Sequence, residues 1–107
     1  MKKGEIVLIP FPFTDLSGNK NRPALILIDS EDNVTVCFLT SPLKWQSEFD
    51  LLITPSDVNG LKITSLVRLS KFATIAKDLI IGRLGTLDND YIELLNSNLI
   101  KVLKLTK

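Results

Sequence analysis

Short apolar runs, separated by glycine, proline and polar residues, recur along the chain before Leu87. Runs of about four to eight such residues between turn formers are typical of buried β-strands. The predicted strands are Ile6–Ile9, Ala24–Ile28, Val34–Thr40, Asp50–Thr54, Ser65–Leu69, Phe72–Ile75 and Leu79–Leu84. The second and third of them flank an acidic turn and are predicted to form a hairpin. Many short strands at this spacing favour a small barrel or sandwich.

The last part of the chain follows a different period. From Asp88 onward the apolar residues recur at helical spacing, at Tyr91, Ile92, Leu95, Leu99, Val102 and Leu103. Asp88 is a suitable N-cap, and Leu87 and Ile92 have the spacing of a hydrophobic staple. The pattern predicts a helix from about 88 to 104 that covers one face of the sheet. The expected fold is therefore mainly β (α+β), a small SH3-like barrel with a C-terminal helix packed on it.

Length and composition indicate one globular domain over residues 1–107. Apolar residues make up 45% of the chain and charged residues 23%. No apolar run approaches the roughly 20 residues that a membrane-spanning helix needs. The basic start of the chain lacks a signal-peptide cleavage site, so a cytoplasmic protein without a membrane association is expected. The single cysteine, Cys37, lies in an apolar run and is expected to be a buried thiol.

The absence of histidine restricts the possible chemistry most. It excludes a ribonuclease that uses paired imidazoles, and it excludes serine–histidine and cysteine–histidine triads. It also removes the commonest metal ligand, and no metal or cofactor is expected. The net charge of +1 neither supports nor opposes nucleic-acid binding. Any catalysis must use Arg, Lys, Thr, Ser, Tyr, Asp or Glu.

Arg22 is the first candidate for a functional residue. It is followed by Pro23, which restricts the Arg22 backbone to extended conformations, and it precedes a buried strand. A guanidinium stays charged and presents donors in a plane that fits phosphate oxygens. The alternative is an exposed arginine that is paired with Asp15 or Glu48.

Two hydroxyl residues, Thr40 and Ser41, end the third predicted strand just before Pro42. Proline stops regular strand pairing there, so the hydroxyls lie beside the following loop. The alternative is a strand-end hydroxyl that bonds to a local amide, which is common.

Two segments resemble a known family. Residues 4–27 read GEIVLIPFPFTDLSGNKNRPALIL, and this pattern closely resembles the opening of MazF/PemK-like toxins, the ribonuclease partners of type II toxin–antitoxin systems. A second segment is similar to the second half of the same family. It consists of SLVR at 65–68, Lys71, TI at 74–75, Lys77, LI at 79–80 and GRLGTL at 82–87. The resemblance is weakest between Lys44 and Leu61.

The resemblance implies metal-independent, sequence-selective cleavage of single-stranded RNA, by attack of a ribose 2′-hydroxyl on the adjacent phosphate. The products would carry 2′,3′-cyclic phosphate and 5′-hydroxyl ends, and the cleavage would inhibit translation and growth. Arg22 would stabilise the charge on the phosphate. Thr40 falls on the family's hydroxyl position, with Ser41 as its neighbour and possible substitute. The sequence does not identify the proton acceptor, and Asp15, Glu48 and water are its candidates.

Further RNA contacts are expected from the two polar loops. The first loop offers donors, acceptors and an aromatic ring, and the second offers a cation beside the only tryptophan. The candidates are Phe13, Asp15, Ser17, Lys20, Lys44 and Trp45. Unpaired bases stack on aromatic side chains, although core packing is the better interpretation for at least one of Phe11 and Phe13. Trp45 could equally contact a protein partner.

The partners implied by the resemblance are RNA, a cognate antitoxin protein and a second copy in a homodimer. Contact with DNA would be only indirect, through an antitoxin complex. The alternative from another class is a non-catalytic barrel of the same type that binds RNA or a protein partner. The pairing of Arg22 with Thr40 favours the nuclease, because a binding module has no need of it.

Overall fold

The computed structural model describes residues 1–11, 20–41 and 47–105. In chain order, the elements are the strands β1 (Glu5–Phe11), β2 (Lys20–Asp29), β3 (Asn33–Thr40), β4 (Leu51–Ile53), β5 (Ser65–Ala76) and β6 (Gly82–Thr86), and the helix α1 (Asn89–Val102). A short 3-10 turn, Lys77–Leu79, connects β5 and β6. Within the described ranges, no helix is long and apolar enough to cross a membrane.

The strands form an antiparallel sheet in the order β4-β5-β3-β2-β1-β6. The sheet curls into a half-barrel, and α1 lies against its β4–β5 end. The mainly β fold with a C-terminal helix is therefore confirmed. The hairpin of the second and third strands is confirmed as well, and Ser30 N donates to Asn33 O across its turn at 3.0 Å.

Both faces of the sheet bury apolar side chains, because residues alternate between the faces along each strand. One face packs against α1. Its buried residues are Ile6, Leu25, Leu27, Cys37, Leu39, Leu51, Ile53, Leu61, Val67, Leu69, Leu87 and Leu95. The opposite face carries a second cluster, which consists of Val7, Ile9, Ala24, Ile26, Val34, Val36 and Ile75. The apolar runs within the central strands β2 and β3, at 24–28 and 36–39, thus contribute side chains to both faces, as their continuity in the sequence predicts.

The helix begins as predicted. The carboxylate of Asp88 accepts a hydrogen bond from Tyr91 N at 3.1 Å, which caps the first turn. Leu95 is fully buried, and Leu87 and Ile92 pack in the same cluster. The predicted stripe extends one residue too far, because Leu103 forms the C-cap and is 49% exposed.

Three predicted strand limits are wrong. β2 begins well before Ala24 and includes Arg22 and Pro23, which pair with Ile9 and Leu8 of β1. The predicted strand Leu79–Leu84 is instead a 3-10 turn followed by a strand that starts at Gly82. Ser65–Leu69 and Phe72–Ile75 belong to one strand, β5, and not to two.

The polar interruption in β5 nevertheless has a structural basis. Cys37 of β3 lies opposite Phe72, whereas Leu39 lies opposite Val67. Residues 68–71 of β5 therefore face the single residue Phe38, in an enlarged β-bulge. Bulges of this kind redirect side chains and are frequent beside active sites.

Cys37 is buried, as expected. Burial raises the pKa of its thiol from the ordinary value of 9.0 to about 12, with a further contribution from the nearby charge of Asp50. The thiol therefore stays protonated and serves as a small apolar side chain of the core.

Candidate active site

Two concavities flank the side chain of Arg22. The first, called here the leucine cavity, has a volume of about 490 Å³ and is lined by Leu8, Asn21, Arg22, Pro23, Leu39, Ser41, Gly60, Leu61, Lys62, Ile63, Ser65 and Leu84. The second, called here the cationic cavity, has a volume of about 380 Å³ and is lined by Arg22, Phe38, Thr40, Arg68, Lys71, Phe72 and Ala73. Arg22 is common to both.

Arg22 is held on a paired strand. Its backbone lies opposite Ile9 of β1, and the next residue, Pro23, lies opposite Leu8. The side chain is half-buried, and its Nε atom is inaccessible to solvent. A guanidinium mounted on the middle of a sheet loses little further freedom when it binds an anion, which favours tight and directional phosphate contacts.

Thr40 occupies the last position of β3, on the same side of the sheet as Phe38. Its Oγ1 atom is buried and has no hydrogen-bond partner within the part of the chain that the structure describes. Among the described residues, Thr40 Oγ1 therefore does not form the hydrogen bond to a local amide that was the alternative interpretation. A buried hydroxyl without a partner costs about 1–3 kcal/mol, and such groups are often retained for function.

Ser41 lies just beyond the end of β3 and faces a different cavity from Thr40. It is exposed and lines the leucine cavity. The structure therefore brings Thr40 and Ser41 to Arg22 from opposite sides, and only Thr40 shares the cationic cavity.

The bulge in β5 supplies two cations that the sequence-based site did not include, Arg68 and Lys71. Arg68 is partly buried and Lys71 is exposed. In the sequence, Arg68 and Lys71 belong to the second family-like segment, and the apolar pattern breaks at Ser70 and Lys71. That break was interpreted as a gap between strands, whereas in the fold it turns basic side chains towards Arg22.

The cationic cavity also contains two aromatic rings, those of Phe38 and Phe72. Phe72 is 42% exposed although it lies within a strand. The aromatic contacts predicted from the sequence lie on the loops instead. Phe13, Asp15, Ser17, Lys44 and Trp45 lie outside the described residues, as does the side chain of Lys20.

The local charge differs from the near-neutral balance of the whole chain. Among the described residues, three cations line the cationic cavity and no carboxylate lines either cavity. Low-dielectric walls with charges of one sign concentrate counter-ions, here anions. Among the described residues, no group of three or more acidic, Cys or His side chains is placed to hold a metal ion.

The family of this chain follows from its sequence profile. Residues 2–103 match the model of the PemK-like, MazF-like toxins of type II toxin–antitoxin systems. The chain belongs to this toxin family. MazF-like toxins are endoribonucleases, so the membership identifies a toxin of the nuclease class. No curated protein matches the sequence.

Solved structures of MazF-type toxins share the fold at low sequence identity. An endoribonuclease from a mycobacterial species, solved in complex with its cognate antitoxin, superposes with a TM-score of 0.80 at 20% identity and covers 100% of this chain and 98% of its own. The Mycobacterium tuberculosis toxin MazF-mt6 gives 0.76 at 22% identity, with coverages of 96% and 99%. MazF from Deinococcus radiodurans gives 0.72 at 19% identity, with coverages of 97% and 96%. At such identities the likeness shows the fold alone.

Proposed function

We propose that this protein is a metal-independent, sequence-selective endoribonuclease that cleaves single-stranded RNA, and that its active site is the cationic cavity. The observation that carries the proposal is the convergence of Arg22 and the buried Thr40 hydroxyl in one cavity with two further cations. An anion with hydrogen-bond acceptors fits this arrangement, and an RNA phosphate supplies both.

The proposed reaction is an internal transesterification. The ribose 2′-oxygen forms a bond to the adjacent phosphorus, and the bond from phosphorus to the 5′-oxygen of the next nucleotide breaks. The 2′-hydroxyl gives up its proton, and the leaving 5′-oxygen gains one, so the ends are a 2′,3′-cyclic phosphate and a 5′-hydroxyl. Negative charge accumulates on the phosphate oxygens in the transition state, where fixed cations are most effective.

Each lining residue has a distinct role in this proposal. The Arg22 guanidinium binds the scissile phosphate, and Thr40 Oγ1 donates to a phosphate oxygen or to the 2′-oxygen. Arg68 and Lys71 bind the same or the neighbouring phosphate. Ser41, which faces the leucine cavity, contacts the flanking nucleotide. Phe13, Asp15, Ser17, Lys20, Lys44 and Trp45 stay predicted RNA contacts.

The family also suggests partners. A structural neighbour was solved with its cognate antitoxin, and we expect a cognate antitoxin to neutralise this protein too. We further expect a homodimer in solution, which sedimentation velocity would detect. Cleavage of messenger RNA would place the activity in the cytoplasm and would stop translation and growth.

The test is a cleavage assay on a long unstructured RNA with a chelator present. The expected result is cutting at a recurring short sequence, with cyclic-phosphate ends, in the wild-type protein and not in Arg22→Ala purified in parallel. Intact RNA together with RNA binding by folded, antitoxin-free protein would instead establish the non-catalytic module. Cutting that persists in Arg22→Ala would refute the assignment of the active site.

Thr40→Val is expected to separate activity from stability. Valine has a similar shape but lacks the buried hydroxyl, so kcat should fall by about 100-fold, as for loss of one donor to a developing anion. Because the Thr40 hydroxyl has no partner among the residues that the structure describes, its removal should leave the free energy of unfolding unchanged or raise it by about 1 kcal/mol. Single-turnover kinetics and urea denaturation would measure the two effects.

Thr40→Ser provides the matched control, because it keeps the hydroxyl and removes only a methyl group. It should retain most of the wild-type kcat. A Thr40→Val protein with wild-type kcat would remove Thr40 from the mechanism.

Phe72→Ala is expected to weaken RNA binding without unfolding the protein. An exposed ring among cations is typical of surfaces on which unpaired bases stack, and each stack contributes about 1–3 kcal/mol. The Kd for single-stranded RNA, measured by fluorescence anisotropy at fixed salt, should rise about 10-fold or more.

Two variants serve as controls for Phe72→Ala. Phe72→Trp keeps a stacking surface and should bind as the wild type does. Ile28→Ala removes another exposed apolar side chain, which lines neither cavity, and should leave Kd unchanged. Equal losses in Phe72→Ala and Ile28→Ala would argue against stacking.

A further inference from the structure

Asp50 is the charged residue that the proposed reaction leaves unexplained. It directly precedes β4, and its side chain is completely inaccessible to solvent. It lines neither cavity. Burial of a carboxylate is strongly unfavourable unless it is paired and hydrogen-bonded, so the position of Asp50 requires compensating contacts.

Those contacts all converge on the bulge in β5 and on the turn before β4. Asp50 Oδ2 lies 3.1 Å from Arg68 Nε and accepts a hydrogen bond from Ser47 N at 3.1 Å. Asp50 Oδ1 accepts a hydrogen bond from Leu69 N at 3.3 Å. Asp50 N in turn donates to Ser47 O at 3.2 Å.

The contact with Arg68 is ionic in character. Its Nε–Oδ2 distance is that of an ion pair, but the N–H is not directed at the oxygen well enough for a hydrogen bond. The carboxylate of Asp50 therefore attracts the Nε side of the Arg68 guanidinium, and Arg68 also lines the cationic cavity. One side chain thus connects a buried anion to the site where a phosphate is expected.

The contacts of Asp50 with Arg68 and Leu69 lie at the bulge in β5. Residues 68–71 are not matched one to one with residues of β3, so regular pairing does not set their direction. The hydrogen bond from Leu69 N to Asp50 Oδ1 gives a backbone amide within the bulge a side-chain acceptor. The carboxylate thereby fixes both the backbone of the bulge and the side chain that leaves it.

We propose that Asp50 is a positioning residue, which holds Arg68 against the cationic cavity so that its guanidinium meets the RNA phosphate beside Arg22. Asp50 does not touch the substrate and acts through Arg68. This inference rests on the proposed ribonuclease function and adds the residue that orients Arg68.

The test is a double-mutant cycle between Asp50→Asn and Arg68→Ala, with kcat/KM measured on an RNA oligonucleotide that contains a mapped cleavage site. Asparagine keeps an acceptor for one backbone amide but removes the charge that attracts Arg68. We expect about a 10-fold loss in Asp50→Asn, about a 100-fold loss in Arg68→Ala, and no further loss in the double variant, because Asp50 has nothing to orient once Arg68 is absent.

A direct readout of orientation accompanies the kinetics. The Nε–Hε signal of Arg68 in ¹⁵N NMR spectra, assigned with Arg68→Lys, should exchange slowly with water in the wild type and rapidly in Asp50→Asn. Tyr91→Phe serves as the stability control, because it removes the Tyr91 hydroxyl that lies 3.1 Å from both Thr54 N and Thr54 Oγ1, and Tyr91 lines neither cavity. It should lower stability and leave kcat/KM unchanged.

The outcomes separate the two proposals. Losses that multiply in the double variant, or an Arg68 signal that is unaltered in Asp50→Asn, would overturn the positioning role while active wild-type protein upholds the ribonuclease. Wild-type protein that does not cleave RNA would overturn the proposed function, and the positioning role with it.

Discussion

Arg22→Ala is expected to lower kcat/KM for RNA cleavage by about 1,000-fold. The guanidinium is the group that we place on the scissile phosphate, and removal of a preorganised charged donor at a developing anion has effects of about this size. The loss should appear mainly in kcat, because the contact strengthens as charge accumulates in the transition state. Single-turnover cleavage at saturating protein would measure it.

Arg22→Lys tests geometry separately from charge. Lysine keeps the positive charge but lacks the planar arrangement of donors that fits two phosphate oxygens. We expect a loss of about 100-fold, which is intermediate between wild type and Arg22→Ala. Full activity in Arg22→Lys would show that charge alone suffices and would contradict a directional phosphate contact.

Stability should change little in either variant, since neither replacement disturbs the buried clusters of the sheet. Superimposable thermal denaturation curves would therefore assign the kinetic loss to the site. Unfolded Arg22→Ala protein would instead show that the residue is needed for folding.

Gly85→Ala is expected to destabilise the fold by about 3 kcal/mol or more. A Cβ atom at Gly85 would lie 2.6 Å from the carbonyl carbon of Asn59 and still closer to the carbonyl oxygen of Val58. These are backbone atoms, and Thr86 N donates to Val58 O at 2.9 Å, so the segment cannot move away without losing that bond. Overpacking typically costs about 1–3 kcal/mol, and the cost reaches the upper end or more where backbone atoms have to move.

The melting temperature should consequently fall by about 10 °C or more for a chain of this size. Gly82→Ala is the matched control in the same strand, because a Cβ atom there meets nothing within 4 Å. It should change stability by less than about 1 kcal/mol. Similar losses in the two variants would mean that the close approach at Gly85 is not what stabilises the fold.

The Gly85 contact also affects the leucine cavity. Asn59 is 1% exposed and fixes its own loop by accepting from Ser56 N at 3.0 Å and from Leu61 N at 2.9 Å. The loop residues Gly60 and Leu61 line that cavity. A displaced loop in Gly85→Ala should therefore alter the cavity beside Arg22 as well as the stability.

The sequence pattern was sufficient to predict the strands and the helix that depend on residues close together in the chain. Apolar runs bounded by turn residues identify the central strands β2 and β3, because a strand that is buried on both faces needs apolar side chains throughout. The helix was equally predictable from its stripe and from Asp88, since an N-cap acts within a single turn. Arg22 and Thr40 could be chosen because each ends or begins an apolar run and matches the family motif.

The bulge in β5 and the environment of Asp50 depended on contacts between residues that are distant in the chain. The bulge that turns Arg68 and Lys71 into the cationic cavity arises from the pairing of β5 with β3, and in the sequence it resembles a loop. Asp50 has the appearance of an ordinary polar residue before a strand, because burial of a carboxylate is decided only when Arg68 and the Leu69 amide arrive from another strand. The sequence alone therefore determined the toxin family, the mainly β fold with its capped helix, and two candidate residues. The tertiary structure decided which cations join them, because charge pairing and bulge geometry are properties of neighbouring strands and not of one segment.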